Sequence, residues 1–359
     1  MKLNHLTGGG QRAAYIDVMR FVGLSLIILA HVAPPETLLH LRSFDVPMML
    51  FVSGLAYAGK SPAYSIGFLT RRFLRLVVPV YLFLTFYFLA VATLYATLGI
   101  DFGIRAHHII GSYLLMDGIG YVWVIRVFLI VSLLTPFLLA INRKVTSHTL
   151  LAILLLAAVA ATTCAIRANF LTQSILVREF LYYAIGYGAM FLLGVRAATA
   201  TPSARAILAI AILIALVTSA FAHNLDTFVC FNNFKYPPQL YFLLYGALMS
   251  LLTMFIAKAA TPQSISDSTQ SPTIPPTQSP RSRAFTLANP LTLFIGANTI
   301  WIYLWHIPLI QLTGRLSLHF LLRYIIVYTL ATLICYLQCR ITDRLAITHP
   351  SPLLKYLKG

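Results

Sequence analysis

Charge is scarce in this sequence. Of 359 residues only nine are acidic, and Asp, Glu, Lys and Arg together make up 10%, against about 25% in an average globular domain. A soluble chain of this length needs polar residues to cover its surface, so a soluble fold is excluded. Apolar–polar alternation with period two is also missing, which disfavours an outer-membrane barrel. Cysteine is sparse: Cys164, Cys230, Cys335 and Cys339 contain no CxxC pair, so no structural metal site is expected. Cys164 and Cys230 are both expected near the outer face. Cys335 and Cys339 lie four apart, a spacing that helix packing explains.

What fills the chain instead is apolar: 59% of it, with stretches such as 80–100 and 206–222 carrying no charge at all. Runs of 18 or more apolar residues read as membrane-spanning helices. The spans fall near 15–34, 44–60, 74–98, 119–141, 149–166, 176–195, 205–223, 237–257, 288–312 and 319–341. The expected fold is an all-α integral membrane protein with about ten transmembrane helices. The first apolar run is followed by His31-Val-Ala-Pro-Pro and not by a small-residue cleavage site, so the first helix is expected to be retained.

The net charge of +17 does not indicate nucleic acid. Lys and Arg recur in short clusters between apolar segments, as loops are marked in membrane proteins. If the N-terminus is inside, seventeen of the 26 cations lie on inner loops and tails and seven on outer ones, with Arg20 and Arg126 within spans. Cytoplasmic N- and C-termini are therefore expected. The organisation reads as a tail (1–14), a core of spans one to eight (15–257), a disordered Ser/Thr/Pro-rich cytoplasmic linker (258–286), spans nine and ten (287–342) and a second tail (343–359).

Polar groups at membrane depth are costly and are functional candidates by default. Arg20 and His31 are eleven residues apart. In a helix that leaves them about 20° apart around the axis and about 16 Å apart along it. Asp17, one turn before Arg20, can pair with it; an anchoring ion pair with an interfacial histidine is the plainer alternative. Arg72 and Arg75 share a helical face at the inner surface. They act either as a positive-inside anchor or as a grip for phosphates, which Arg holds bidentately. His306 lies in an aromatic run just before Pro308, so core packing and a cavity-lining site are both open. Arg126, Glu179 and Asp117 complete the set. Arg126 is a candidate partner for Glu179 across the bundle, whereas the adjacent Arg178 does not share its helical face.

These residues resemble, in order, the motifs of acyltransferase family 3 membrane proteins. Tyr15-Ile-Asp17-Val-Met-Arg20 with His31 resembles the family's first span. Phe44-Asp-Val-Pro47-Met-Met-Leu-Phe51-Val-Ser53-Gly54 is similar to its second, and Arg72-x-x-Arg75 followed by Pro79 to its third. Tyr121-Val-Trp123-Val-Ile-Arg126, then Pro136, is similar to the fourth, and Asn298-Thr-Ile-Trp-Ile-Tyr303-Leu-Trp-His306-Ile-Pro308 to a late Tyr-x-x-His-x-Pro span. The chain departs from the family in carrying no SGNH-type esterase domain and in its three-residue Arg75–Pro79 spacing. Phe234-Lys-Tyr-Pro-Pro-Gln-Leu-Tyr resembles a feature of one subset.

The resemblance implies transfer of an acyl group, commonly acetyl, from cytoplasmic acyl-CoA to a hydroxyl of a cell-envelope carbohydrate such as an exopolysaccharide or O-antigen. It also implies a bacterial inner membrane and, as partners, acyl-CoA, the glycan acceptor and polysaccharide-synthesis machinery. No metal is expected. Arg72, Arg75 and Arg20 would hold the donor. His31 would be the base, or would accept the acyl group first, with Arg20 and Glu179 also assigned to catalysis and Asp117 a second acidic candidate. Tyr303, Trp305, His306 and Arg126 would line the acceptor path. A transporter or flippase and a structural subunit are the competing classes. The first needs membrane carboxylates that this chain barely has, and the second predicts that its intramembrane polar residues tolerate substitution.

Overall fold

The computed structural model describes residues 13–99, 104–116, 118–223, 230–261, 287–349 and 351–358. The linker predicted at 258–286 lies almost wholly outside them, as does Asp117. The described residues are helical and contain no strand. α1 (Ala14–His31) leads through the short α2 (Glu36–Leu41) into α3 (Asp45–Tyr57). Next come α4 (Ile66–Leu98), α5 (Ala106–Tyr113), α6 (Trp123–Lys144) and α7 (His148–Arg167). A π-helical turn (Leu176–Leu181) opens α8 (Tyr182–Thr199). α9 (Pro202–Ala222), α10 (Leu240–Ala259), α11 (Pro290–Ala297), α12 (Thr299–Gly314) and α13 (Phe320–Thr348) complete the chain. Nine described helical segments are long and apolar enough to cross a membrane, and the bent pair α11–α12 meets the same measure only when its two helices are taken together.

Local chemistry sets the ends. Ser65, Ser147, Thr201 and Asn289 each accept a hydrogen bond from the backbone three residues on, covering amides that a helix start leaves unpaired. Gly99 closes α4 in the left-handed conformation, φ +65°, which costs glycine nothing. The Ser65 cap starts α4 eight residues before the expected span. Arg71, Arg72 and Arg75 are thus all part of one helix, as the shared face expected for Arg72 and Arg75 requires.

The ninth span is not one straight helix. It bends by 85° at Asn298, whose side-chain amide donates to the Phe294 carbonyl at 2.8 Å and so ends α11. α11 lies across α1, where Gly296 faces the Asp17 carbonyl so closely that any Cβ would clash. Only α12 traverses the bundle, and its 16 residues span about 24 Å.

α3 and α8 make the closest contact. Gly54 meets the Phe191 carbonyl and Gly194 meets that of Phe51, each within the space a Cβ would need. Such small-residue seams let backbones approach where lipid supplies no hydrophobic drive. Lys258 at the end of α10 lies 4.9 Å from the Tyr15 ring at the start of α1. The Trp301 indole, at the start of α12, donates to the Tyr356 carbonyl. Both ends of the described chain therefore share one end of the bundle with Arg71, Arg72 and Arg75, while His31 and Arg315 lie toward the other.

Candidate active site

α1 ends at His31, and α12 places His306 against it. His31 Nδ1 is 3.0 Å from His306 Nε2, with the rings stacked at 29° and 5.1 Å between centroids. Tyr121, just before α6, sets its ring edge-on to both, 4.9 Å from His31 and 6.0 Å from His306. The Tyr303 hydroxyl donates to the Tyr121 carbonyl and so ties α12 to that turn. His306 is fully buried, and His31 is partly exposed.

The hydrogen bonds fix the proton positions. His306 Nδ1 bonds the carbonyl of Tyr303, and a carbonyl only accepts, so His306 carries its proton on Nδ1. The Nε2 of neutral His306 is then a bare acceptor, and His31 Nδ1–H must donate to it. That leaves the lone pair of His31 on Nε2, on the more exposed of the two rings. The arrangement is a carbonyl–histidine–histidine chain that ends in a base.

The other expected residues divide. Arg20 donates to Asp17 at 3.1 Å, the pair that the sequence suggested. On α4, Arg71 and Arg75 are exposed and Arg72 is partly buried. The Arg72 guanidinium lies 5.0 Å from the Tyr57 ring and 5.4 Å from that of Phe68.

Three of the expected site residues lie apart from the histidine pair. Glu179 does not orient His31. Its Oε2 accepts from Arg126 at 2.6 Å and its Oε1 from Arg178 at 2.9 Å. Arg178 was expected on a different face, but the wider π turn and its long, exposed side chain bring it back to its neighbour. Arg126 pairs with Glu179 across the bundle, as expected: one guanidinium nitrogen goes to Glu179, another to the Met116 sulfur, and its plane rests near Phe180 and Tyr183. It braces α6 against the start of α8. Trp305 does not join Tyr303 and His306. One residue is about 100° of helix rotation, which turns Trp305 toward Phe83 and Phe86, with its indole donating to Gln338.

A cluster the sequence reading missed lies beside this site. Arg42 donates to Asp45 at 2.5 Å, and Lys235 reaches the other Asp45 oxygen at 3.5 Å, all three being buried. Lys235 Nζ lies 5.7 Å from the ring of Trp123, two residues after Tyr121. Burial draws Lys235 below its ordinary lysine value, and Asp45 opposes the shift. Asp45, one of nine acids and set before an apolar run, was the signal available. Among the described residues, no group of three or more His, Cys, Asp or Glu is placed to hold a metal.

The profile of the family described as "Acyltransferase domain" (acyltransferase family 3) matches residues 13–339. No curated protein and no solved structure matches the chain. The match runs from the first turn of α1 into the middle of α13 and takes in both histidines, so the chain belongs to this family and is a multi-pass membrane acyltransferase.

Proposed function

We propose that this acyltransferase moves an acyl group, acetyl by expectation, from cytoplasmic acyl-CoA to a hydroxyl of a cell-envelope carbohydrate, in a bacterial inner membrane with both termini cytoplasmic. The His31–His306 pair carries the reading. One ring is buried and fixed in its tautomer, and the other is partly exposed and presents a basic nitrogen.

The chemistry follows from that nitrogen. His31 Nε2 takes the proton of the acceptor hydroxyl as its oxygen bonds to the thioester carbonyl carbon. The tetrahedral intermediate collapses, the C–S bond breaks, and the proton on His31 Nε2 passes to the departing sulfur. The products are the ester and the free CoA thiol, and His31 is again neutral. Throughout, its Nδ1–H stays on His306, which holds the ring against rotation.

The donor side rests on the basic start of α4. Acyl-CoA phosphates cannot enter hydrocarbon cheaply, and guanidinium groups bind them bidentately. Arg71, Arg72 and Arg75 supply three within two turns, and Arg20 continues the positive lining along α1.

The test uses purified protein in nanodiscs with radiolabelled acetyl-CoA. Saturable binding that is lost in Arg72→Ala/Arg75→Ala, with turnover lost in His31→Ala, is the expected result. Well-folded protein that binds no acyl-CoA would return the weight to transport.

A further inference from the structure

We propose that the groove between α4 and α12 binds the acceptor as a lipid: a sugar joined through phosphate to an apolar tail, entering sideways from the bilayer. This rests on the acyl-transfer reading above.

The groove is a cavity of about 690 Å³ on the side of α12 that Trp305 faces. Its lining changes character along its length. From Phe83 to Leu94 the α4 wall is aromatic and aliphatic, and Phe86, Leu94 and Leu312 are 58%, 49% and 60% exposed, so the groove opens into the hydrocarbon. At the end of the bundle away from the chain termini it becomes polar, with Arg315, His108 and Tyr95. There Arg315 reaches the Tyr95 hydroxyl at 3.5 Å. Two turns deeper, Tyr87 donates to Gln311 at 2.5 Å, bridging the two helices across the groove. The described lining holds one guanidinium, one imidazole and no carboxylate. Its charge therefore complements an anionic head, and its apolar stretch, about 18 Å along α4 from Phe83 to Tyr95, matches a tail.

The groove also communicates with the histidine pair. Gly118 and Ile119 line it, and two residues later Tyr121 sets its ring against both histidines. Trp305 and Pro308 of its wall flank His306 on α12. A phosphate at Arg315 would place the attached sugar over the turn that leads to His31. A pocket for the donor's acyl chain alone would have no use for a cation at its mouth.

The test is photolabelling of the full-length protein, in phosphatidylcholine nanodiscs, by dodecyl phosphate bearing a diazirine near its tail. The proposal expects labelled peptides from α4 and α12, competed by unlabelled dodecyl phosphate. Labelling should be at least tenfold weaker in Arg315→Gln and lost in Ala90→Trp, which fills the groove. Leu213→Trp, on the lipid-facing side of α9, should label as wild type does. Uncompeted label spread over α7 and α9 in proportion to exposure would mean annular lipid only and overturn the proposal. So would displacement of the probe by palmitoyl-CoA that itself labels the groove, which would make it an acyl-chain tunnel. Competed labelling in a protein inert toward acetyl-CoA would keep the lipid site and retire acetyl-CoA as the donor; turnover without competed labelling would do the reverse.

Discussion

Replacing His306 by methionine probes the histidine chain directly. Methionine keeps the volume and apolar contacts of a buried site but offers His31 Nδ1–H no comparable acceptor. A neutral hydrogen bond is worth about 0.5–1.5 kcal/mol net, and more in a low-dielectric site. Without it the His31 proton redistributes to Nε2, the nitrogen that must be bare, and the ring is free to turn. At 1.4 kcal/mol per factor of ten, kcat should fall at least about 2- to 12-fold while the KM for acyl-CoA stays put. His31→Ala should cost about 10²- to 10⁴-fold, the usual worth of a general base. The decisive measurement is the double variant. If His306 acts only through His31, adding His306→Met to His31→Ala should cost nothing further. His306→Gln, whose carbonyl oxygen can stand in for Nε2, should recover most of the rate. A full additional loss in the double variant, or a change in KM alone, would refute the assignment.

Other outcomes follow from the same geometry. Glu179→Gln should lower the melting temperature in detergent yet keep kcat within about threefold, because this carboxylate joins two arginines and faces no reacting atom; a loss as large as that of His31→Ala would contradict this. Asp45→Asn leaves Arg42 and Lys235 buried without their anion and should cost about 3–5 kcal/mol, seen as loss of the monodisperse peak in fluorescence-detected gel filtration, whereas Lys235→Met, which leaves the Arg42–Asp45 pair balanced, should be milder. Arg72→Lys keeps the charge but loses the planar fork, so the KM for acyl-CoA should rise about tenfold with kcat unchanged.

The membrane class and nearly every span were legible because long uncharged runs have one physical meaning. Asp17–Arg20 was legible because both residues sit on one helix at a spacing that fixes their separation. The histidine pair was not. His31 and His306 are 275 positions apart, and only packing of α1 on α12 joins them, so sequence gave two separate candidates and not one device. Glu179 was legible as an anomaly and Arg126 as its partner across the bundle; the second arginine was not, because Arg178 was expected on another face. Trp305 follows the same rule: proximity in sequence to His306 does not show that its ring faces the α4 side and not the histidine pair. The Asn298 bend escaped notice because hydropathy is blind to direction, and a run from 288 to 312 has the same average whether straight or folded.

The seam between α3 and α8 has a consequence for how the protein must move. Where two glycines face two carbonyls, no rotamer can change and no side chain can yield, so these two helices travel as one body. Whatever widening admits a donor from one side and an acceptor from the other has to be taken up elsewhere. The α4–α12 boundary, held by side chains and hollowed by a cavity, is the joint this architecture leaves free.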